Sequence, residues 1–326
     1  MPALTYPEAI VVGLFQGVSE LFPVSSLGHS VLIPALIGGQ WARDLNVSAP
    51  ESPYLAFIVG LHVATALALL AYFWRDWLRI AGGFATSLRD RQVRTADQRL
   101  AWLIILATIP VGIAGLLLEH TFRTVLGKPI PAAIFLTVNG VILYAGERLR
   151  RRDPAQTAPA GHARQMAAVS ASQPARDQLP GQHAVRQDEP AADRDADRRL
   201  AGLSYPQAVL IGSAQILALL PGISRSGVTM VAGLTRGLSH EDAARFAFLL
   251  ATPVILAAGA LKIPDLAGPL GSGIRGQILA GSLFSGIGAY LSVRFLLRYF
   301  QTRTLTPFAI YCTAAGLGSL AYLTLT

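Results

Sequence analysis

Phe15-Gln16-Gly17-Val18-Ser19-Glu20-Leu21-Phe22-Pro23-Val24-Ser25-Ser26-Leu27-Gly28-His29-Ser30 is the segment that sets how the rest of the chain is read. It lies inside an apolar run from about Ala9 to Ile37, yet it carries a carboxylate, an amide, hydroxyls and an imidazole. Polar groups at bilayer depth are costly and mark functional sites. Pro23 and Gly28 also break the run. Broken backbone is tolerated in a membrane only where protein buries it or a wet cavity faces it.

The segment has a counterpart in the second half. Leu4-Thr5-Tyr6-Pro7-Glu8-Ala9 returns as Leu203-Ser204-Tyr205-Pro206-Gln207-Ala208. At the same offset Gly13 matches Gly212, Gln16 matches Gln215, Ser25 matches Ser224 and Gly28 matches Gly227. The polar contents differ: the first copy holds Glu20 and His29, the second Ser224-Arg225-Ser226 and Thr229. A carboxylate and a base on one side, with a cation and hydroxyls on the other, suit an anionic substrate.

Composition bounds the class. Of 326 residues, 52% are hydrophobic and 14% charged, against about 25% charged in soluble domains. The chain reads as an all-α polytopic membrane protein. Its formal charge of +8 is dominated by Arg between apolar runs, as in cytoplasmic loops and not as on a nucleic-acid surface. Nucleic-acid binding is therefore not expected. The one cysteine, Cys312, permits no intrachain disulfide and no Cys-based metal site. Residues 1–10 carry no Lys or Arg, so the basic start of a secretory signal is missing.

Thr5-Tyr6-Pro7-Glu8 reads as a helix start, with a cap, an early proline and an acid three residues on. A helix from there to Leu21 is too short to span, since a span needs ~20 apolar residues. A second short helix after Pro23 makes a re-entrant hairpin over about 6–37; the alternative is a single kinked span. Clean spans follow at about 54–74, 100–118 and 131–147, with a polar basic loop at 75–99 between the first two. Residues 153–199 are rich in Ala, Pro, Gln, Asp and Arg and cannot bury a core, so they read as a disordered cytoplasmic linker. From 200 to 326 the plan repeats, with a hairpin at about 204–238 and spans at about 244–261, 277–297 and 307–325.

Each repeat (1–152 and 200–326) thus holds one re-entrant hairpin and three transmembrane helices. An odd number of spans turns the second repeat over, which is an inverted repeat. Loop 75–99 and Arg148–Arg152 concentrate arginine on one side, and the positive-inside rule makes that side cytoplasmic. The first hairpin then enters from the outer side and the second from the cytoplasm, with the tips meeting near the midplane and the site opening outward.

Gln16 and Glu20 are four apart and share a helix face. A carboxylate beside an amide oxygen suits a hard divalent cation, Mg²⁺ or Ca²⁺. Ser26 and His29 are three apart, a spacing for nucleophile and base; His29 itself could attack, or act as an acid. Ser25 reads as a helix cap or a substrate contact. Ser224, Arg225, Ser226 and Thr229 follow a Pro-Gly turn at a helix start and read as a phosphate cradle, with a structural ion pair to Glu20 as the alternative role of Arg225. His62, inside the first clean span, is a buried histidine or an outer support of the site.

Gln16-x-x-x-Glu20, Pro23-x-Ser25-Ser26-x-x-His29 and Pro221-Gly222-x-Ser224-Arg225-Ser226-x-x-Thr229 together resemble the undecaprenyl-diphosphate phosphatase family, the bacitracin-resistance proteins. Leu61-His62 and Phe73-Trp74-Arg75 fit the same likeness, which covers the chain apart from 153–199. Many members carry Glu where this chain has Gln16. The resemblance implies a multi-pass enzyme of the bacterial plasma membrane that removes the terminal phosphate of undecaprenyl diphosphate, a polyprenyl lipid, with a divalent cation. It assigns the metal to Glu20 and Gln16, the phosphoryl chemistry to Ser26 and His29, and the diphosphate grip to Arg225. Broken helices in inverted repeats also suit a secondary transporter or flippase of a phosphorylated lipid. A homo-oligomer is left open by the sequence.

Overall fold

The computed structural model describes residues 4–39, 45, 53–151, 189–267 and 273–325. Among them every regular element is helical. In chain order these are α1 (Tyr6–Leu21), α2 (Ser26–Ile37), α3 (Pro53–Tyr72), α4 (Trp74–Asp90), α5 (Ala96–Leu126), α6 (Pro129–Arg151), α7 (Glu189–Ala201), α8 (Tyr205–Ser213), a 3₁₀ turn (Ala214–Leu219), α9 (Arg225–Leu234), α10 (His240–Ala267), α11 (Arg275–Thr302) and α12 (Thr306–Leu325). Among the described residues five helices are long and apolar enough to cross a membrane, and a sixth if α3 and α4 count as one bent span.

Both short-helix pairs form where the sequence places them, and for the same reasons. Thr5 caps α1 while Glu8 Oε2 accepts from Thr5 N at 2.8 Å; Ser204 and Gln207 repeat that box on α8, at 2.9 Å. Ser25 caps α2 by accepting from Gly28 N at 3.2 Å, and Ser224 caps α9 by accepting from Gly227 N at 3.2 Å. The helices α1 and α2 reach about 24 and 18 Å at 1.5 Å per residue, less than the ~30 Å hydrocarbon core. The tips touch: a Cβ on Gly28 would lie 2.8 Å from Gly222 Cα. Gly222 turns the second hairpin at φ 116°, which a side chain would resist.

Two helix pairs are built alike. The backbone of Gly13 on α1 meets the backbone of Gly281 on α11, with no room for a side chain, and Gly17 meets Ser285 in the same way. Gly212 on α8 meets the Ala107 backbone on α5, and Arg99 Nη2 donates to Leu203 O at 3.0 Å. Small residues let membrane helices approach until backbones touch. Here that contact carries each hairpin on a spanning helix of the other half. Phe57, Phe73, Phe246 and Phe248 are fully buried in the core.

Two expectations are corrected. The stretch 75–99 is not a loop: α4 occupies most of it, at 84° to α3. Its polar residues are one face of an amphipathic helix whose other face buries Ile80 and Gly83 against the start of α5. The linker, expected to run to 199, stops earlier. Residues 152–188 lie outside the described residues, but α7 is a docked helix. Its composition hid this because its docked face pairs a short apolar end, Ala196 and Leu200, with ionic contacts. Arg245, 3% exposed, donates to Asp197 at 3.0 Å and to Asp193 at 2.8 Å, and Arg79 joins Asp76 and Asp197 at 2.5 Å each.

The correction changes what a deletion should do. Removing 155–186 with a short flexible bridge is expected to leave activity and Tm near wild type. Extending the cut to 198 strips Asp193 and Asp197 from a buried arginine. Breaking a buried pair costs about 3–5 kcal/mol, so Tm should fall by several degrees. Equal thermal stability of the two deletions would contradict the anchoring role of α7.

Candidate active site

Glu20 is the hub. It ends α1 beside the Pro23 break, and four side chains from three helices and the second hairpin converge on it. Arg225 Nη2 donates to Oε1 at 2.6 Å. Ser26 Oγ donates to Oε2. Gln16 Nε2 donates to Oε2 at 3.0 Å, as the shared helix face requires. His62 Nε2, from α3, lies 3.4 Å from Oε2 and 3.2 Å from Gln16 Nε2. Its Nδ1 faces Ile58 O at 2.8 Å, one turn back, which holds Nε2 toward the carboxylate.

The expected Ser26–His29 pair does not form. Ser26 opens α2 and turns toward Glu20. His29, one turn on, has Nδ1 against Ser25 O at 2.8 Å and Nε2 against Tyr311 OH at 2.8 Å. The bond back to Ser25 O swings Nε2 away from Ser26. The His29 ring stacks on Tyr311, 5.7 Å between centroids, and borders a separate cavity of ≈ 90 Å³ with Phe15, Ser30 and Tyr54. Ser25 holds φ at 67°, a conformation that costs about 1–3 kcal/mol in a non-glycine residue. Its carbonyl there receives both N and Nδ1 of His29.

The hydroxyls of the second hairpin are also used differently from expectation. Ser224 Oγ and Ser226 Oγ donate to Phe22 O at 3.4 and 3.2 Å, and Thr229 Oγ1 donates to Arg225 O at 2.7 Å. A buried hydroxyl next to a carbonyl left open by a proline break satisfies it. These three fasten the tips together and fix the Arg225 backbone. Arg225 alone presents charge to the site, and its ion pair with Glu20 fits the alternative weighed for it.

Asn139, fully buried on α6, clamps both tips. Its Nδ2 donates to Pro23 O at 3.1 Å, and its Oδ1 accepts from Ser224 N at 3.0 Å. Sequence reasoning missed it, although a single Asn in an apolar span is a signal of the kind used for His62. Asn139→Leu should strand Ser224 N at about 1–3 kcal/mol and leave Pro23 O with only the weak Cys312 thiol. The expected result is a lower Tm in detergent together with a loss of kcat. Neither quantity moving would remove Asn139 from the account.

Among the described residues no group of three or more His, Cys, Asp or Glu could hold a metal by itself. Glu20 supplies carboxylate oxygens and Ser26 a hydroxyl, while the Gln16 amide turns its Nε2 to the carboxylate. That fits a hard cation sharing its shell with substrate phosphates, since Mg²⁺ commonly takes one or two carboxylates and fills the rest with phosphate oxygens and water.

Residues 9–318, both hairpins included, match the family described as bacitracin resistance protein BacA. The chain belongs to that family. Similar proteins include an undecaprenyl-diphosphatase of Mycolicibacterium paratuberculosis, 66% identical over 99% of this chain and 98% of the relative. Undecaprenyl-diphosphatase 1 of Frankia casuarinae is 58% identical over 97% of each chain. Undecaprenyl-diphosphatase 2 of Chromobacterium violaceum is 40% identical over 97% of this chain and 98% of the relative.

Proposed function

We propose that this BacA-family chain is a membrane phosphatase that hydrolyses undecaprenyl diphosphate to undecaprenyl phosphate and inorganic phosphate. The reaction returns the lipid carrier to cell-wall synthesis and accounts for the bacitracin-resistance association of the family. The observation that carries the reading is the convergence of Ser26, Glu20 and Arg225 from two hairpins at one point. A transporter needs an anion site but no hydroxyl set against a carboxylate.

Ser26 Oγ attacks the terminal phosphorus and its proton passes to Glu20. The bond between that phosphorus and the bridging oxygen breaks, and the bridging oxygen leaves with its electrons on undecaprenyl phosphate. Water then attacks the phosphoserine, freeing inorganic phosphate and returning the proton to Ser26. Arg225 binds the diphosphate oxygens, and a desolvated cation aimed at developing phosphoryl charge is where catalytic stabilisation is largest. Gln16 and His62 hold Glu20 in place. Glu20, Gln16 and Ser26 would hold a divalent cation, Mg²⁺ or Ca²⁺, which when bound neutralises phosphate charge.

The paired contacts of α1 with α11 and α8 with α5 support an inverted repeat of 1–152 and 200–326. Arginine at Arg79, Arg148, Arg199 and Arg303 gathers on the rim where α7 docks, which supports a cytoplasmic placement for it. The first hairpin starts at Tyr6 beside Gly276, at the other end of α11, which supports a site that opens to the outer side.

Glu20→Gln is expected to abolish the magnesium dependence of turnover and to lower kcat/KM at every magnesium concentration, with Tm within a few degrees of wild type. A wild-type magnesium titration curve in the variant would remove Glu20 from the metal and the chemistry alike.

A further inference from the structure

The C-terminal end of α11 carries a cluster of arginines away from Glu20. An open groove of ≈ 440 Å³ is lined by Arg294, Arg298 and Arg303, with Tyr299 and Thr302 between them. All three arginines are exposed, and among the described residues no acidic side chain lines the groove. Its floor is apolar: Leu291 and Phe295 are 59% and 51% exposed. They continue an exposed stripe on the same helix face, Leu283 and Ile287, each four residues apart.

Charge at the rim and an apolar strip running into the membrane-spanning part form an amphipathic track. A soluble phosphate would use the arginines and leave the strip bare. A soluble protein would not cover a strip that faces lipid. We infer that the groove binds the headgroup of an anionic phospholipid, with its phosphate on Arg294, Arg298 and Arg303 and its chains along Leu291, Ile287 and Leu283. Basic clusters at the cytoplasmic ends of membrane helices are where such headgroups collect. The leaflet rests on the orientation proposed above; the binding does not. Phe295 stacks on Phe22 at 5.9 Å, so the occupied groove abuts the first hairpin tip.

The test uses the full chain, delipidated in detergent, with native mass spectrometry reading bound lipid. Wild type should retain phosphatidylglycerol at least about tenfold better than phosphatidylcholine. The triple variant Arg294→Gln, Arg298→Gln, Arg303→Gln should lose that preference while hydrolysing undecaprenyl diphosphate at the wild-type rate in phosphatidylcholine. If the triple variant fails to fold, Arg294→Gln alone should still weaken the preference. Ser26→Ala should keep the preference in full, which separates failure of the groove from failure of the phosphatase reading. Equal retention of the two lipids by wild type, or an unchanged preference in the arginine variants, overturns the site. Complete displacement of phosphatidylglycerol by millimolar inorganic phosphate overturns the lipid as its occupant.

Discussion

Ser26→Ala should lower kcat on undecaprenyl diphosphate by about 10³-fold or more, with KM changed far less, because an attacking oxygen acts only in the transition state. The hydroxyl is small and its bond goes to a single partner, Glu20. Its removal leaves the hairpin tips fastened by Asn139, Ser224 and Ser226, so the fold should survive. Residual turnover would come from Arg225. The rival nucleophile is His29, whose Nε2 is engaged by Tyr311. His29→Ala should therefore cost less than Ser26→Ala. The reverse order, or a kcat within about tenfold of wild type for Ser26→Ala, would move the attack to His29 or to water.

Arg225→Lys is expected to be nearly as damaging as Arg225→Ala. A diphosphate offers paired oxygens to a planar fork, whereas lysine supplies a point charge. The arginine side chain is only 15% exposed, so its contacts act in poorly screened surroundings. Losing a charge-assisted contact of this kind costs roughly 2–5 kcal/mol, a rate loss of about thirtyfold or more. If the lysine variant keeps more than about half of kcat/KM, Arg225 only neutralises Glu20. The ion pair at 2.6 Å would then be structural and the diphosphate would be held elsewhere.

Features governed by local rules were legible in the sequence. Thr5 with Glu8 and Ser204 with Gln207 announced the starts of α1 and α8, and Pro23 and Pro221 announced the breaks. The i,i+4 spacing of Gln16 and Glu20 became a 3.0 Å hydrogen bond. Contacts set by tertiary packing were not legible. Ser26 and His29 are spaced to meet on a regular helix, but Ser25 O captures the His29 ring and Tyr311, from the far end of the chain, completes its bonding. Asn139 escaped notice because its partners are backbone groups of two distant hairpins. The helices α4 and α7 were masked by their charge. Each buries only a few apolar side chains, Ile80 on α4 and Leu200 on α7, and hydropathy does not register aspartates that meet Arg79 and Arg245.

The central claim is that two half-membrane hairpins assemble a phosphatase and not a transport site. Phosphate release from undecaprenyl diphosphate by the purified chain in detergent tests it most directly, because detergent removes the two compartments that transport needs. Multiple-turnover release of one inorganic phosphate per undecaprenyl phosphate formed, lost in Ser26→Ala, is the result the account predicts. Binding of the lipid without phosphate release, by well-folded protein supplied with magnesium or calcium, would contradict it.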